Sequence, residues 1–379
     1  MRSIRPLAAL ALLAAAATPG LAQNQAVQLT TGVDAHFDVP YDPAFVAPSG
    51  LTVEAWVTYD DSTIPTGLFY WPTIARQNVA PGQESWLFRV GASNTNNLSL
   101  EFAVRQQNGQ VPRIAYRFTP GQFAVWTHLA ATFDGATLTI LVNGAPVQTQ
   151  TFPNSPIADN GGALRVGNGD VSAPGRETWN GQIDELRIWP FARSAAEIGA
   201  TMNDEIIGLP GEAFTFNLNG NYVDSSRGRV GAPAGPIQFT ASALNLSQRI
   251  TAALNIGPAS NTCSRAMASA FGSLPRVGNP SFALVGTGGP ASAAGTALIA
   301  AGLAGSPLAI LGVQFHLQPA LVGVTVPTDA LGNARLPLGV PNQPALAGVN
   351  LAAQWLFLDP ACGSQGLTAS EGLGFTILQ

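Results

Sequence analysis

Apolar and polar residues alternate with a period of two in many short stretches of this chain, the spacing of strands with one buried face. Leu51-Thr52-Val53-Glu54-Ala55-Trp56-Val57 and Leu98-Ser99-Leu100-Glu101-Phe102-Ala103-Val104 both follow it. From His128 to Gln150 the pattern predicts a three-strand meander. Its strands run from Leu129 to Phe133, Thr137 to Val142 and Pro146 to Thr151, joined by two-residue turns at Asp134-Gly135 and Asn143-Gly144. Asp-Gly and Asn-Gly tolerate the positive φ angles of tight hairpins. Gly181 to Trp189 predicts another strand, and Ser194-Ala195-Ala196-Glu197 reads as a capping box that opens a short helix.

The amino terminus breaks this pattern. Arg2 and Arg5 precede an apolar run from Leu7 to Ala17, Thr18-Pro19-Gly20 ends any helix, and Gly20 and Ala22 are small. These features predict a secretory signal peptide over residues 1–22 and a mature chain from about Gln23. The run is too short to span a bilayer, which takes about 20 residues, and a buried core helix is disfavoured because the segment has no polar face. Ala291 to Leu311 is the nearest later candidate for a span. Gly295, Gly302, Gly305 and Pro307 interrupt it, so it reads as strands and turns. The expectation is a secreted or cell-surface protein with no transmembrane segment in the mature chain.

Composition supports an all-β extracellular chain: charged residues are only 10%, against 41 Gly and 29 Pro. The net charge is −5, or −7 without the two leader arginines, and there is no lysine. Without a basic cluster there is no expectation of a nucleic-acid partner, and without lysine there is no Gly-Lys phosphate loop. The two cysteines, Cys263 and Cys362, predict one disulfide in an exported chain. It would close a loop of about 100 residues, worth up to about 4.7 kcal/mol in chain-entropy terms. Two free thiols are the alternative.

Six pieces in order carry a family resemblance: Gly32-Val33-Asp34, Leu51 to Val57, Trp126 to Gly135, Leu141-Val142-Asn143-Gly144, Gly181 to Trp189, and Ser194 to Ile198. Together they resemble the LamG-like jelly roll of the concanavalin A-like lectin/glucanase superfamily, over about half the chain. The resemblance implies two packed antiparallel sheets and, in many members, a Ca²⁺ site. The domain expectation is a jelly roll over 23–207, then 208–254 as either a linker or added strands, then a smaller β-sandwich over 255–379. In that last part charge almost vanishes, and apolar runs such as Phe282 to Val285, Leu308 to Leu317, Leu351 to Leu358 and Leu373 to Leu378 lie between turns. Pro341 to Gly348, Ala353-Gln354-Trp355 and Leu367 to Leu373 are similar to a carboxy-terminal module of secreted planctomycete proteins, with no role implied.

Candidate chemistry is sparse. Asp184 alternates with Leu186 and Ile188, which places it on the core-facing side of its strand, where an unpaired carboxylate is costly. Ca²⁺, an oxygen-seeking ion, is the expected partner. The resemblance implies a role for the aspartate at Asp184 beside the opening strand, where Asp34 also stands. Salt bridges or backbone hydrogen bonds are the alternatives. For ligand binding, the exposed-loop candidates are Tyr70 and Trp71, within Phe69-Tyr70-Trp71-Pro72, and Trp179. Trp56, Trp86, Trp126 and Trp189 read as core residues in strands. Asp60-Asp61 reads as a solvated loop. His36, His128 and His316 come with no nucleophile elbow or zinc spacing. No strand carries the alternating acids that hydrolytic members of the superfamily use, and glycoside hydrolysis needs two facing carboxyls. The expectation is therefore a non-enzymatic binding or adhesion protein for carbohydrate or an extracellular protein. A polysaccharide-acting hydrolase and a purely structural envelope protein are the rivals.

Overall fold

The structure is a computed structural model that describes residues 24–47, 50–62, 64, 69–78, 82–92, 97–169, 176–208, 213–246, 249–251, 254–261, 263, 266–319, 321–362 and 366–379. The expected signal peptide lies outside the described residues.

The first module runs β1 (Gln25–Leu29), β2 (His36–Val39), β3 (Leu51–Val57), β4 (Thr73–Asn78), β5 (Trp86–Ala92), β6 (Leu98–Val104), β7 (Arg113–Phe118), β8 (Thr127–Phe133), β9 (Thr137–Val142), β10 (Ala145–Thr151), β11 (Ala163–Val166) and β12 (Gly181–Trp189). After these come α1 (Ala195–Thr201), β13 (Glu205–Ile207), β14 (Phe214–Phe216), β15 (Ala232–Ala234) and β16 (Gln238–Ala241). Two antiparallel sheets face each other. One has the order β10-β9-β8-β3-β12-β1-β16 with β14 also on β12; the other is β15-β2-β11-β4-β5-β6-β7. The segment after α1 is thus more than a linker: β14 and β16 extend the first sheet and β15 extends the second.

The predicted strands over 51–57, 98–104 and 181–189 form over those residues. Their inward positions, among them Val53, Ala55, Val57, Leu100, Phe102 and Leu186, join Phe37, Phe88, Leu129 and Ile140 in one core. The meander forms too. Asn143 and Gly144 take φ of 48° and 77°, as a two-residue turn requires. Asp134 to Ala136 connect β8 to β9, and the Asp134 carboxylate accepts from the N–H groups of both Ala136 and Thr137. Ser194 caps α1: its hydroxyl accepts from Glu197 N–H, and Glu197 accepts from Ser194 N–H at 2.8 Å.

The second module contains β17 (Arg249–Thr251), β18 (Leu254–Ile256), β19 (Ala268–Phe271), β20 (Ala283–Thr287), β21 (Gly295–Ala300), β22 (Leu303–Ile310), β23 (Val313–Leu317), β24 (Val322–Thr325), β25 (Ala334–Pro337), β26 (Asn350–Leu358), β27 (Leu367–Ala369) and β28 (Gly372–Thr376). A six-stranded sheet, β18-β28-β26-β21-β24 with β27 on β26, packs against the three strands β19-β20-β25. Phe271, Phe282, Trp355, Phe357 and Phe375 fill the space between them. On the back of the larger sheet the hairpin β22-β23 seats Leu317 against Ala300 and Ala352. Cys263 and Cys362 form the expected disulfide, with Cα atoms 5.3 Å apart. No helix among the described residues is long and apolar enough to cross a membrane.

Candidate functional site

Cross-strand partners share a face, so the register of the seven-stranded sheet fixes what it presents outward. One row runs Asp38, Arg165, Arg76, Leu87, Ala103, Arg113, and a second runs Thr73, Arg89, Glu101, Ala115. The charges pair within these rows, between them, and with Glu84 ahead of β5. Arg165 meets Asp38 at 2.7 Å, Arg76 meets Glu84 at 2.5 Å, and Glu101 takes Arg89 at 3.2 Å and Arg113 at 3.7 Å. Several members are open to solvent, with the Arg113 side chain 47% and Asp38 33% exposed.

The aromatic group at the start of β4 belongs to this face. The Arg89 guanidinium lies over the Trp71 ring at 5.6 Å. Phe69 lies nearly parallel to Trp71, with centroids 6.0 Å apart and 7° between the planes, and Phe69 is 62% exposed. The expected ligand residues divide accordingly. Trp71 stands at the surface. Tyr70 is half-buried, as Trp71 is, but it bridges to Ala92 and packs its ring against the core, because successive strand residues point to opposite faces. Trp179 is also corrected. It is fully buried against Tyr59, and its indole N–H donates to the Thr58 carbonyl at 2.9 Å, so no ligand reaches it. Phe69 is the partner that reading strand alternation through Phe69-Tyr70-Trp71 would have supplied.

The outer face of the eight-stranded sheet is the opposite case. Thr52, Glu54 and Trp56 of β3, His128 of β8, and Arg187 and Trp189 of β12 point outward, yet all are buried. α1 covers part of this face, where Ile198 meets Ala130 and Leu141. The second module covers more, with Trp189 and Phe191 packed on Ala270, Leu274 and Val285. Glu54 accepts from Arg193 at 2.7 Å and from the Trp189 indole at 2.8 Å. Arg193 also donates to the carbonyls of Glu197 and of Gly272 in the second module. Burial alone would push the Glu54 carboxyl up, but the charges of Arg193 and Arg187 hold it below the usual carboxylate range. Burial lowers His128 to about 4, so its ring is neutral at physiological pH. Of the four tryptophans expected in the core, Trp86 is there. Trp56 and Trp189 are buried on this outer face instead, and Trp126 lies half-buried just before β8.

Asp184 lies on this same outer face, not on the core side with Leu186 and Ile188. Between Asp184, opposite Trp56, and Arg187, opposite Glu54, β12 has one more residue than β3. Glu185 absorbs the bulge at φ 48°. Ile183, Leu186 and Ile188 therefore share the core while Asp184 and Arg187 point away from it. The signal was legible: apolar spacing of three between Ile183 and Leu186 breaks the period of two. Burial, followed by the charge of Glu185, raises Asp184 to about 8; burial raises Glu185 to about 7.

Among the described residues, no three His, Cys, Asp or Glu side chains converge as a metal cluster. One observation does suit a cation. Asn24 Oδ1 is buried without a hydrogen-bond partner among the described residues, and the Asn24 amide nitrogen lies 3.5 Å from Asp184 Oδ2. The Asn24 N–H₂, not its Oδ1, faces Asp184, whose Oδ1 accepts from Glu185 N–H at 2.9 Å. Asp184 and, with its amide turned over, Asn24 are the residues that would hold Ca²⁺, an ion that takes oxygen ligands. Asp34 has other partners, the His36 ring at 3.0 Å and the Asn168 amide at 2.5 Å. Asp61, expected in a solvated loop, is buried and accepts from Gly121 N–H at 2.8 Å.

Residues 30–199 match a family model described as the concanavalin A-like lectin/glucanases superfamily, consistent with the jelly roll of the first module. Mouse (Mus musculus) pappalysin-1 is 30% identical over 97 residues, which span 24% of this chain and 6% of that protein. Among solved structures, a candidate carbohydrate-binding protein from Bacteroides ovatus is similar over 60% of this chain and 62% of its own, with 19% identity and a TM-score of 0.43. A pentraxin from Limulus polyphemus matches over 59% of this chain and 97% of its own, at 14% identity and a TM-score of 0.41. The CBM40 domain of a Ruminococcus gnavus sialidase matches over 47% and 96%, at 16% identity and a TM-score of 0.35.

Proposed function

We propose that this is an exported, non-enzymatic protein that binds carbohydrate on the outer face of its seven-stranded sheet. The near-parallel pair Phe69 and Trp71, set beside Arg89 and Glu101, carries the reading. Flat aromatic rings meet the apolar C–H face of a sugar, while a few fixed polar groups beside them orient its hydroxyls. The non-catalytic part rests on pairing. Asp38, Glu84 and Glu101 each face an arginine, whereas glycoside hydrolysis needs one carboxyl kept protonated opposite another. Ca²⁺ at Asp184 and Asn24 belongs to the same reading as a structural ion. Attachment or sorting is the role proposed for the second module.

A glycan array with the purified chain, with and without Ca²⁺, tests this. The expected result is binding to at least one glycan class, weakened about tenfold or more by Trp71→Ala. No binding in either condition would favour the structural envelope reading. Hydrolysis of a bound polysaccharide would favour the enzyme.

A further inference from the structure

The part of the seven-stranded sheet made by β5, β6 and β7 is charged unlike the rest of the chain. Trp86 to Phe118 holds four arginines against one acid, Glu101, in a chain whose net charge is −5. Arg113 and Arg117 of β7 alternate with Ile114 and Phe118 of the core, so both point outward with Arg89 and Glu101. Glu101 is already shared between Arg89 and Arg113. Arg117 is exposed and meets no carboxylate among the described residues.

Strand register relates Arg117 to the aromatic pair. Tyr70 pairs with Ala92 and Thr73 with Arg89, so Trp71 stands opposite Gly91. Gly91 pairs with Ser99, and Ser99 with Arg117. These residues form one row from the start of β4 to β7, three strand spacings or about 14 Å long. The row is low in the middle. A Cβ on Gly91 would lie 2.5 Å from Glu101 Oε1, so the Glu101 carboxylate leans over a residue that has no side chain. Beside it the Ser99 hydroxyl donates to the Gly91 carbonyl at 3.2 Å. An aromatic platform thus stands at one end and an unpaired guanidinium at the other.

The two ends select different groups. Flat rings suit the apolar face of a sugar. A guanidinium is always charged, and its fork of donors suits a carboxylate or another oxyanion such as sulfate. Their separation assigns the stacked ring and the acid to different sugars of one chain. An acidic peptide would engage the arginines and leave the aromatic pair unused.

We infer, on the carbohydrate reading of this same face, that its ligand is an acidic polysaccharide laid across β4 to β7. One sugar stacks on Phe69 and Trp71, and the carboxylate or sulfate of a later sugar meets Arg117.

Calorimetric titration of the purified full chain with two pairs of polymers tests this: polygalacturonate against its methyl ester, and dextran sulfate against dextran. In at least one pair the acidic member should bind about fivefold or more tighter than the neutral one, and the pair that shows it tells carboxylate from sulfate. Arg117→Gln should abolish that preference and leave Tm unchanged, since Arg117 has no protein partner to lose. Trp71→Ala should weaken binding of the acidic polymer as well. The inference is overturned if the neutral members bind as tightly as the acidic ones, or if the preference survives Arg117→Gln. Polyglutamate binding as tightly as the acidic polysaccharide, and unaffected by Trp71→Ala, would overturn it in favour of an acidic peptide. If only neutral glycans bind on the array, the acidic ligand falls and the carbohydrate reading stands; if no glycan binds, both fall.

Discussion

The two sheets of the first module both carry charged residues on their outer faces, and the two sets have opposite surroundings. On the seven-stranded sheet, Asp38, Glu101 and Arg113 stay partly in water, and an aromatic pair lies beside them. On the eight-stranded sheet, Glu54 and Arg187 are closed off by α1 and the second module together with Arg193 from the β12–α1 connection, and Arg193 ties the two modules together through Gly272. In water an ion pair is screened and contributes little. Sealed from water, the same kind of pair cannot lose a partner without stranding a charge. One arrangement leaves charges available to orient a ligand, whereas the other turns them into a fastening between modules.

Breaking the buried set should have the largest effect. Arg193→Ala leaves Glu54 without its nearest guanidinium and the Gly272 carbonyl without its donor. A loss of about 3–5 kcal/mol is expected by denaturant unfolding. A loss below about 1 kcal/mol would mean that the cluster contributes no more than a surface pair, and the comparison would fail.

The acids at the bulge come next. Asp184 and Glu185 have folded pKa values raised to about 8 and about 7. Both bind protons more tightly when folded, so their contribution is fully present below the unfolded carboxylate range and lost as pH rises through 7 to 8. In chelator, Tm should fall over that window. Asp184→Asn should flatten the fall and exceed the native chain by a few degrees at pH 8, at about 2–4 °C per kcal/mol. Ca²⁺ should restore the native chain at pH 8 and leave the Asn variant unmoved. Equal Ca²⁺ responses in the two proteins would remove Asp184 from the ion site.

On the open face, Trp71→Ala should cost about tenfold or more in glycan affinity with little change in stability. A large stability loss without a change in affinity would place Trp71 in packing alone. The smallest effect is expected for Arg89→Ala, within about 1 kcal/mol of the native stability. If it destabilises as much as Arg193→Ala, the two faces are energetically alike.

Some of this was legible in local sequence because the signals are local. Period-two runs placed the strands over 51–57, 98–104 and 181–189, Asn143-Gly144 placed a turn, and Ser194 with Glu197 placed a cap. The cysteine pair needed only two candidates. Each depends on neighbours a few residues away, or on there being no other partner to choose. Tertiary structure decided the rest. Alternation tells which residues share a face and is silent on whether a second layer covers it, so Glu54 and Glu101 look alike in sequence while one is sealed and the other is not. A single extra residue at Glu185 reversed the orientation of Asp184. Trp179 became core through a contact with Tyr59, far away along the chain. The physical reason is the same in each case: side-chain direction is set by backbone geometry within a few residues, whereas burial is set by whatever the whole chain later lays on top.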